Sequence, residues 1–418
     1  MSRSVGSRGA VQGGQESRSR ESGAGASVPV IDERLAIDRV LRLMSVPGKS
    51  GDEAAVVAEI RRELVAAGVP EACIEVDDVA SRSPIGGNTG NLIVRLPGTI
   101  RGPRRLLMAH VDTVPLCVGC RPTVTGREVR SADPKTALGG DDRSGASVVL
   151  TAIVEILRQG LPYPPLTLFW PVQEEIGLYG ARLVQLSKLG GPKMCFNWDG
   201  GDAEMACIGA TGSFDLDIVI EGIASHAGVH PEAGVNALTV ASLAIADLQA
   251  GGWLGLIEKG RHRGTSNIGI VQGGDATNVV MPRVELHGEV RSHDPKFRQR
   301  LANEFRKAFE RAVKSVRNDA GKRARLSFVQ DLKYESFALD PQSPCVQAAI
   351  AAAALVGLKG ETRISNGGLD ANWLSARGLP TVTLGSGQEH VHTTDETLYL
   401  DDYLNACRIA VALATGRV

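Results

Sequence analysis

Five clusters of carboxylates and imidazoles mark this 418-residue chain, and four of them follow apolar runs. Leu107-Met108-Ala109 leads into His110-Val111-Asp112. Gly139-Gly140-Asp141-Asp142-Arg143-Ser144-Gly145 comes next. Leu166-Thr167-Leu168-Phe169-Trp170 runs toward the adjacent pair Glu174-Glu175, and Cys195-Phe196-Asn197-Trp198 into Asp199. Thr381-Val382-Thr383-Leu384 precedes His390 and His392. Isolated Asp and Glu are routine in exposed loops, but repeated delivery at strand ends is where open α/β sheets place their sites. Two imidazoles with several carboxylates and no cysteine suit Zn²⁺, Mn²⁺ or Co²⁺. The carboxylates are too many for one zinc. They fit two ions about 3.5–4 Å apart that share a bridging carboxylate and a water. Such a pair acidifies the water and polarises a carbonyl, and a remaining carboxylate can carry the proton to a leaving nitrogen. Adjacent side chains on an extended segment point to opposite sides, so one of Glu174 and Glu175 can hold metal while the other faces substrate. Side by side at the end of a buried strand, they would repel without a cation nearby. Asp112 is close enough to accept the other ring N–H of His110 and fix its tautomer.

The elements that must position these groups are read from periodicity. Amphipathic helices are expected over 31–44 and 52–67, around the turn Pro47-Gly48-Lys49-Ser50-Gly51. Another begins at Ala146 and is opened by Asp142, which is read as an N-cap or first-turn acid rather than a ligand. Strands and helices alternate to about residue 208, the pattern of a βαβ-type sheet. The character changes over 210–330, with alternating strands at 214–220 and 284–290 and helices over 237–249 and 295–318. This reads as an inserted, smaller α+β domain. The first domain, 29–209, resumes over 331–418 with a helix at 348–356, a strand at 381–384 and a helix at 402–414. Residues 1–28 are rich in Gly, Ser and Arg and are expected to be a disordered tail. They lack the apolar segment of a secretory signal.

Composition narrows the function. The 46 Lys+Arg nearly cancel the 47 Asp+Glu, which gives no argument for nucleic acid or an anionic membrane as partner. No apolar run is long enough to span a bilayer. Seven cysteines at scattered spacing argue against a disulfide framework and for a reducing compartment, the cytoplasm. Cys117-Val118-Gly119-Cys120 has no second CxxC, so it is read as small residues in a loop rather than a zinc or redox site.

Taken in order, the motifs Ala109-His110-Val111-Asp112, Gly140-Asp141-Asp142-Arg143-Ser144-Gly145, Glu174-Glu175-Ile176-Gly177, Trp198-Asp199-Gly200 and His392-Thr393-Thr394-Asp395-Glu396 resemble those of one family. It is the co-catalytic zinc metallopeptidases, which include peptidase T, the glutamate carboxypeptidases, succinyl-diaminopimelate desuccinylase and the aminoacylases. The peptidase T-like branch is the most similar. The resemblance implies an α/β fold: a mixed-sheet zinc-peptidase catalytic domain with an inserted lid and dimerisation domain. It implies that His110 and Asp199 bind one metal, Glu175 and His392 bind the other, and Asp141 bridges them. Glu174 would be the general base and Asp112 the orienter of His110. A cis peptide often follows the bridging Asp in this family. His226, in Gly222-Ile223-Ala224-Ser225-His226-Ala227-Gly228, would stabilise the oxyanion of a catalytic site, often the partner subunit's. Asn278 and Arg291 would handle substrate, with Gly367 and Gly368 in a glycine-rich substrate loop.

The implied cofactors are two divalent ions, zinc first, with manganese or cobalt as alternatives. The implied assembly is a homodimer. The implied reaction is amide hydrolysis in short peptides by an aminopeptidase of the tripeptidase type, with Glu174 acting on a metal-bridging water. Carboxypeptidase, dipeptidase or N-acyl-amino-acid deacylase activity stands second, and a non-catalytic metal-binding scaffold is the reading from another class. Arg143 stands where the family usually has Lys. Asn366 stands where peptidase T has an Arg that helps to hold a peptide carboxylate, and Leu369 replaces a small hydroxyl residue. The last two departures touch the substrate rather than the metal set.

Overall fold

The computed structural model describes residues 27–417, so most of the expected tail lies outside the described residues. The main sheet has nine strands, and its centre explains the clusters. Four parallel strands lie side by side in the order Leu166–Trp170, Arg105–Met108, Met194–Trp198, Thr381–Leu384. All four run the same way, so the residues after each emerge along one edge. That edge receives His110, Glu174-Glu175, Asp199 and the segment carrying His392.

These strands are apolar throughout because both faces are covered, as parallel sheets require. Leu107, Leu168, Trp170, Phe196 and Trp198 face one core, packed under Glu33–Ser45, Ala54–Ala66, Gly140–Gln159, Pro344–Leu355 and Leu400–Thr415. Their alternates Leu106, Met108, Phe169 and Cys195 face a smaller core with Val184, Leu189 and Leu374. Antiparallel strands extend the sheet: Leu92–Leu96 beside Leu166–Trp170, and Met205–Ala210 beside Thr381–Leu384.

The N-terminal helices fall within two residues of their expected bounds, at Glu33–Ser45 and Ala54–Ala66. Asp32 caps the first by accepting from Leu35 N at 3.1 Å. The helix Gly140–Gln159 is irregular at its start, where Asp141 and Asp142 have non-helical backbone and the peptide between them is cis. Asp142 Oδ1 accepts from Gly145 N at 3.1 Å, the bond expected of an N-cap residue.

A second, five-stranded sheet is antiparallel throughout, in the order Gly255–Lys259, His262–Gly273, Arg283–Ser292, Gly212–Glu221, Arg325–Tyr334. Leu216, Ile218, Ile220, Leu286 and Val290 alternate inward against the helices Ala237–Ala250 and Pro295–Ser315, forming a separate core. A small four-stranded sheet joins Pro122–Thr125 and Glu128–Ser131 to Gln388–Glu389 and Thr397–Tyr399. It holds the His392 loop over the mouth of the site. The seven cysteines are all free thiols. Among the described residues, no helix is long and apolar enough to cross a membrane.

Candidate metal centre

Each oxygen of Asp141 faces a different imidazole. Oδ1 lies 3.3 Å from His110 Nε2, and Oδ2 lies 3.2 Å from His392 Nε2. His392 Nε2 is also 2.9 Å from Glu175 Oε2. Two triads have ligand atoms all within 4.8 Å of one another: His110, Asp141, Glu175 and His110, Glu174, Asp199. A third joins Asp141, Asp142 and Asp199. Chain segments far apart in sequence thus converge on one point, with Asp141 between two halves.

The support is backbone-deep. Asp112 is fully buried beneath His110, with its Oδ1 3.4 Å from Nδ1. Asp112 Oδ1 accepts from Glu174 N at 2.9 Å, and Oδ2 accepts from Glu175 N at 3.1 Å and Ser50 Oγ at 2.6 Å. One carboxylate therefore orients the imidazole and fixes the backbone of both glutamates. Gln173, just before them, has a positive φ of 58°. Its N–H donates to Glu53 Oε1 at 3.1 Å, and its side chain bonds Ser83 Oγ and Gly86 O.

The electrostatics show why the cluster suits cations. Burial, followed by the charges of Asp199, Asp370 and Glu175, pushes Glu174 well above its ordinary range against the pull of His110. Burial and the Asp141 charge push Asp199 up to about 7. His392 is raised to about 10 by hydrogen bonds to Asp141 and Glu175. Burial opposes charge on His110, but its contacts with Asp112 and Asp141 raise it well above its usual value. Protons alone would have to neutralise this crowd of carboxylates. Divalent cations match it better, since the donors are imidazole and carboxylate and several are buried together. The cluster opens into a cavity of ≈ 370 Å³ that Gly200, Gly201, Arg363, Ser365, Gly367, Gly368, Leu369 and Glu389 also line.

A family model described as a peptidase dimerisation domain matches residues 208–317. The chain is 29% identical over 384 residues to the uncharacterized protein YqjE of Bacillus subtilis, covering 92% of this chain and 98% of that one. A tripeptidase of Staphylococcus aureus superposes with a TM-score of 0.82 at 27% identity, covering 93% of this chain and 99% of its own. The aminopeptidase PepT of Bacillus cereus superposes with a TM-score of 0.80 at 28% identity, with the same coverage of 93% and 99%. These likenesses support a member of the M20 peptidase family. The resemblance read from its motifs is to this family, and the mixed α/β fold agrees with it.

The remaining sequence candidates lie apart from the metal cluster to different degrees. Gly367 and Gly368 line the cavity. Arg291 is paired with Glu289 at 2.8 Å and reaches Asn366 O at 3.5 Å, so it braces the glycine loop. His226 and Asn278 are exposed neighbours, joined by a bridge between His226 and Val279, and neither lines the cavity of its own chain. His226 Nδ1 accepts from Gly228 N and Val229 N, both at 3.2 Å, which leaves Nε2 to carry the ring proton outward.

Sequence reasoning gave no role to several residues that hold the site together. Glu396 accepts from Gly139 N at 2.7 Å and Asp141 N at 3.0 Å. Gln388 Nε2 reaches Asp141 Oδ1 at 3.2 Å and Asp199 Oδ1 at 3.5 Å. Arg143 is buried and donates to Leu43 O and Gly48 O, both at 3.0 Å, fixing the turn that carries Ser50. Asp370 is buried with neither oxygen hydrogen-bonded, and burial pushes it up to about 8. Glu396 and Arg143 lie within the motifs that follow His392 and Gly140, which was their only signal.

Proposed function

We propose that this protein hydrolyses amide bonds in short peptides as a dinuclear-metal aminopeptidase of the tripeptidase type. The observation that carries the reading is Asp141, whose two oxygens each face one imidazole. In this reading His110 and Asp199 hold one divalent ion, Glu175 and His392 the other, and Asp141 both. Zinc is the first candidate, with manganese or cobalt as alternatives. Bound there, the ions would supply Lewis acidity to the scissile carbonyl and to water.

The protein's own groups do the rest. Glu174 accepts the proton of the attacking water. It then returns that proton to the leaving amine. Asp112 keeps His110 and both glutamate backbones in place. His226 presents Nε2–H to the oxyanion, and because it does not line its own chain's cavity we assign it to the partner's site in a homodimer. Asn278, Arg291, Gly367 and Gly368 are the proposed substrate contacts.

The proposed lid and dimerisation domain is 210–330, inserted in a catalytic domain of 29–209 and 331–418. The matched segment 208–317 and the separate core support it. Leu238, Leu243, Ile270 and Val271 are exposed on this domain and offer an apolar surface to a second copy. Free thiols throughout accord with a cytoplasmic location.

The test is a panel of di-, tri- and N-acylated peptides, with and without Zn²⁺, Mn²⁺ or Co²⁺, beside Glu174→Gln. Metal-dependent release of N-terminal residues, lost in the variant, is the expected result. Release of C-terminal residues or of acyl groups would move the assignment to the carboxypeptidase or deacylase reading. Tight metal binding with no turnover, unaffected by Glu174→Gln, would leave only a binding protein.

A further inference from the structure

Gly367 and Gly368 both line the cavity, but their surroundings differ. An added Cβ at Gly367 would meet only Ser365 Oγ, at 3.5 Å, an ordinary contact. At Gly368 it would lie 2.6 Å from Tyr334 Cζ, 2.7 Å from Cε1 and 2.9 Å from Oη. Neither glycine has a left-handed φ, so backbone conformation does not call for glycine at either position. What excludes a side chain at 368 is the Tyr334 ring.

Tyr334 is the last residue of the strand Arg325–Tyr334 and is only 4% exposed. It pairs with Ser213 just past a register shift that begins at Leu332. Such irregularities re-aim side chains beside active sites. The chain crosses between the two sheets here, and the helix after the glycine loop is tied to both crossings. Asn372 Nδ2 donates to Thr211 O at 2.9 Å and to Glu335 O at 2.6 Å, and its Oδ1 accepts from Leu369 N at 2.9 Å. Before the glycines, His293 holds the Asn366 side chain at 3.0 Å, and Ser365 Oγ accepts from Gly367 N at 3.0 Å. Gly368 N has no hydrogen bond among the described residues. Between these two held ends, the ring is the contact that sets where Gly368 stands.

We propose that Tyr334 is a positioning residue for the substrate loop: its ring, carried at the end of the second sheet, fixes the place of Gly368 in the cavity wall. This deepens the peptidase reading above and rests on it. A short peptide lying along Gly367 and Gly368 is then seated by the end of the second sheet as well as by the metal-bearing edge of the first.

The experiment measures Gly368→Ala, Tyr334→Leu and the two combined on one cleaved tripeptide of the panel, with Tyr334→Phe and Gly367→Ala as controls. Gly368→Ala should raise KM by about ten-fold or more with kcat little changed, the mark of lost uniform binding. Tyr334→Leu should also raise KM, because the loop loses its stop. Tyr334→Phe keeps the ring and should stay within about two-fold of wild type in KM. In the Tyr334→Leu background the added methyl has room, so Gly368→Ala should raise KM by about three-fold or less, a coupling expected of groups in contact. Gly367→Ala meets no ring, so its effect should be the same in both backgrounds.

The inference is overturned if Gly368→Ala leaves KM unchanged, if the two substitutions act independently, or if Tyr334→Phe is as damaging as Tyr334→Leu. Gly368→Ala leaves the buried ring in place, so the first of these outcomes can be read even where Tyr334→Leu fails to fold. Hydrogen–deuterium exchange over 366–369 reads the loop without substrate. It should be about ten-fold faster in Tyr334→Leu, with exchange over Thr381–Leu384 unchanged. Faster exchange with no hydrolysis by wild type would keep the positioning role and remove the peptidase reading. Hydrolysis by wild type, with unchanged exchange and independent effects on KM, would do the reverse.

Discussion

Replacing Asp112 by Asn changes little in shape and much in hydrogen bonding. The carboxylate accepts from Glu174 N on one oxygen, and from Glu175 N and Ser50 Oγ on the other. Asparagine offers one oxygen and one NH₂. Either orientation of the amide sets an NH₂ against a backbone N–H that cannot turn away. In the better one, the Ser50 hydroxyl reverses to accept, and Glu175 N alone loses its partner. A buried donor left unpaired costs about 1–3 kcal/mol, and a hydrogen bond to a charged acceptor contributes about 1.5–3 kcal/mol. These describe one loss, so Asp112→Asn should destabilise the metal-free protein by about 2–3 kcal/mol in urea unfolding. His110 also loses its charged partner, and supports of this kind are worth about 10–100-fold in metal affinity. A competition titration against a fluorescent chelator reads that second effect. A variant within about 0.5 kcal/mol of wild type, with unchanged metal affinity, would refute the reasoning, since surface-like substitutions fall in that range.

Other expectations follow from the same contacts. Glu53 Oε1 accepts from Gly51 N and Gln173 N, its Oε2 is buried without a partner, and burial with the Asp112 charge pushes it from 4.5 up to about 7. Its folded pKa lies above the unfolded one, so its stabilising share is full below pH 4.5 and fades as pH rises through about 7. The stability difference between wild type and Glu53→Gln should therefore swing by up to about 3 kcal/mol across that window, and a pH-independent difference would contradict it. In the metal-free protein His392, pushed up to about 10, holds a proton at neutral pH, and Asp199, pushed up to about 7, is about half protonated there. Metal loading should then release protons and tighten with rising pH. Binding heats that do not depend on the buffer's ionisation enthalpy would count against this. In Gly145→Ala the new Cβ would lie 2.3 Å from Trp198 O and 2.4 Å from Asp142 Oδ1, so a loss of about 1–3 kcal/mol is expected, and an unchanged melting temperature would rule it out.

The metal cluster was readable from sequence because each donor stands just after an apolar run, and a parallel sheet buried on both faces writes such runs plainly. His110, Asp199 and the two glutamates declare themselves this way. Asp141 does so through its glycine-flanked motif. Gln388 and Glu396 do not, because their roles exist only through contacts with residues 189 or more positions away. The strand His262–Gly273 escaped notice for another reason. Its first half alternates in burial, but the buried positions are Gly264 and Ser266 rather than apolar side chains, and its last five residues are exposed on both sides, so the sequence shows no apolar alternation. Arg363 gave no signal either, since an arginine in a short polar strand reads as surface until the cavity is drawn around it.

The strand Thr381–Leu384 slots between Met194–Trp198 and Met205–Ala210, two strands that a short turn connects. A chain still emerging from the ribosome must therefore keep that slot open while the whole second sheet is made. Until the late strand arrives, the neighbours on either side present bare hydrogen-bonding edges, and the segment bearing His392 is absent. The hydrolytic apparatus is thus completed among the last steps of synthesis. Nicking the chain between residues 340 and 344, in the loop before the helix Pro344–Leu355, should give two fragments whose reassembly restores the sheet and the metal cluster together.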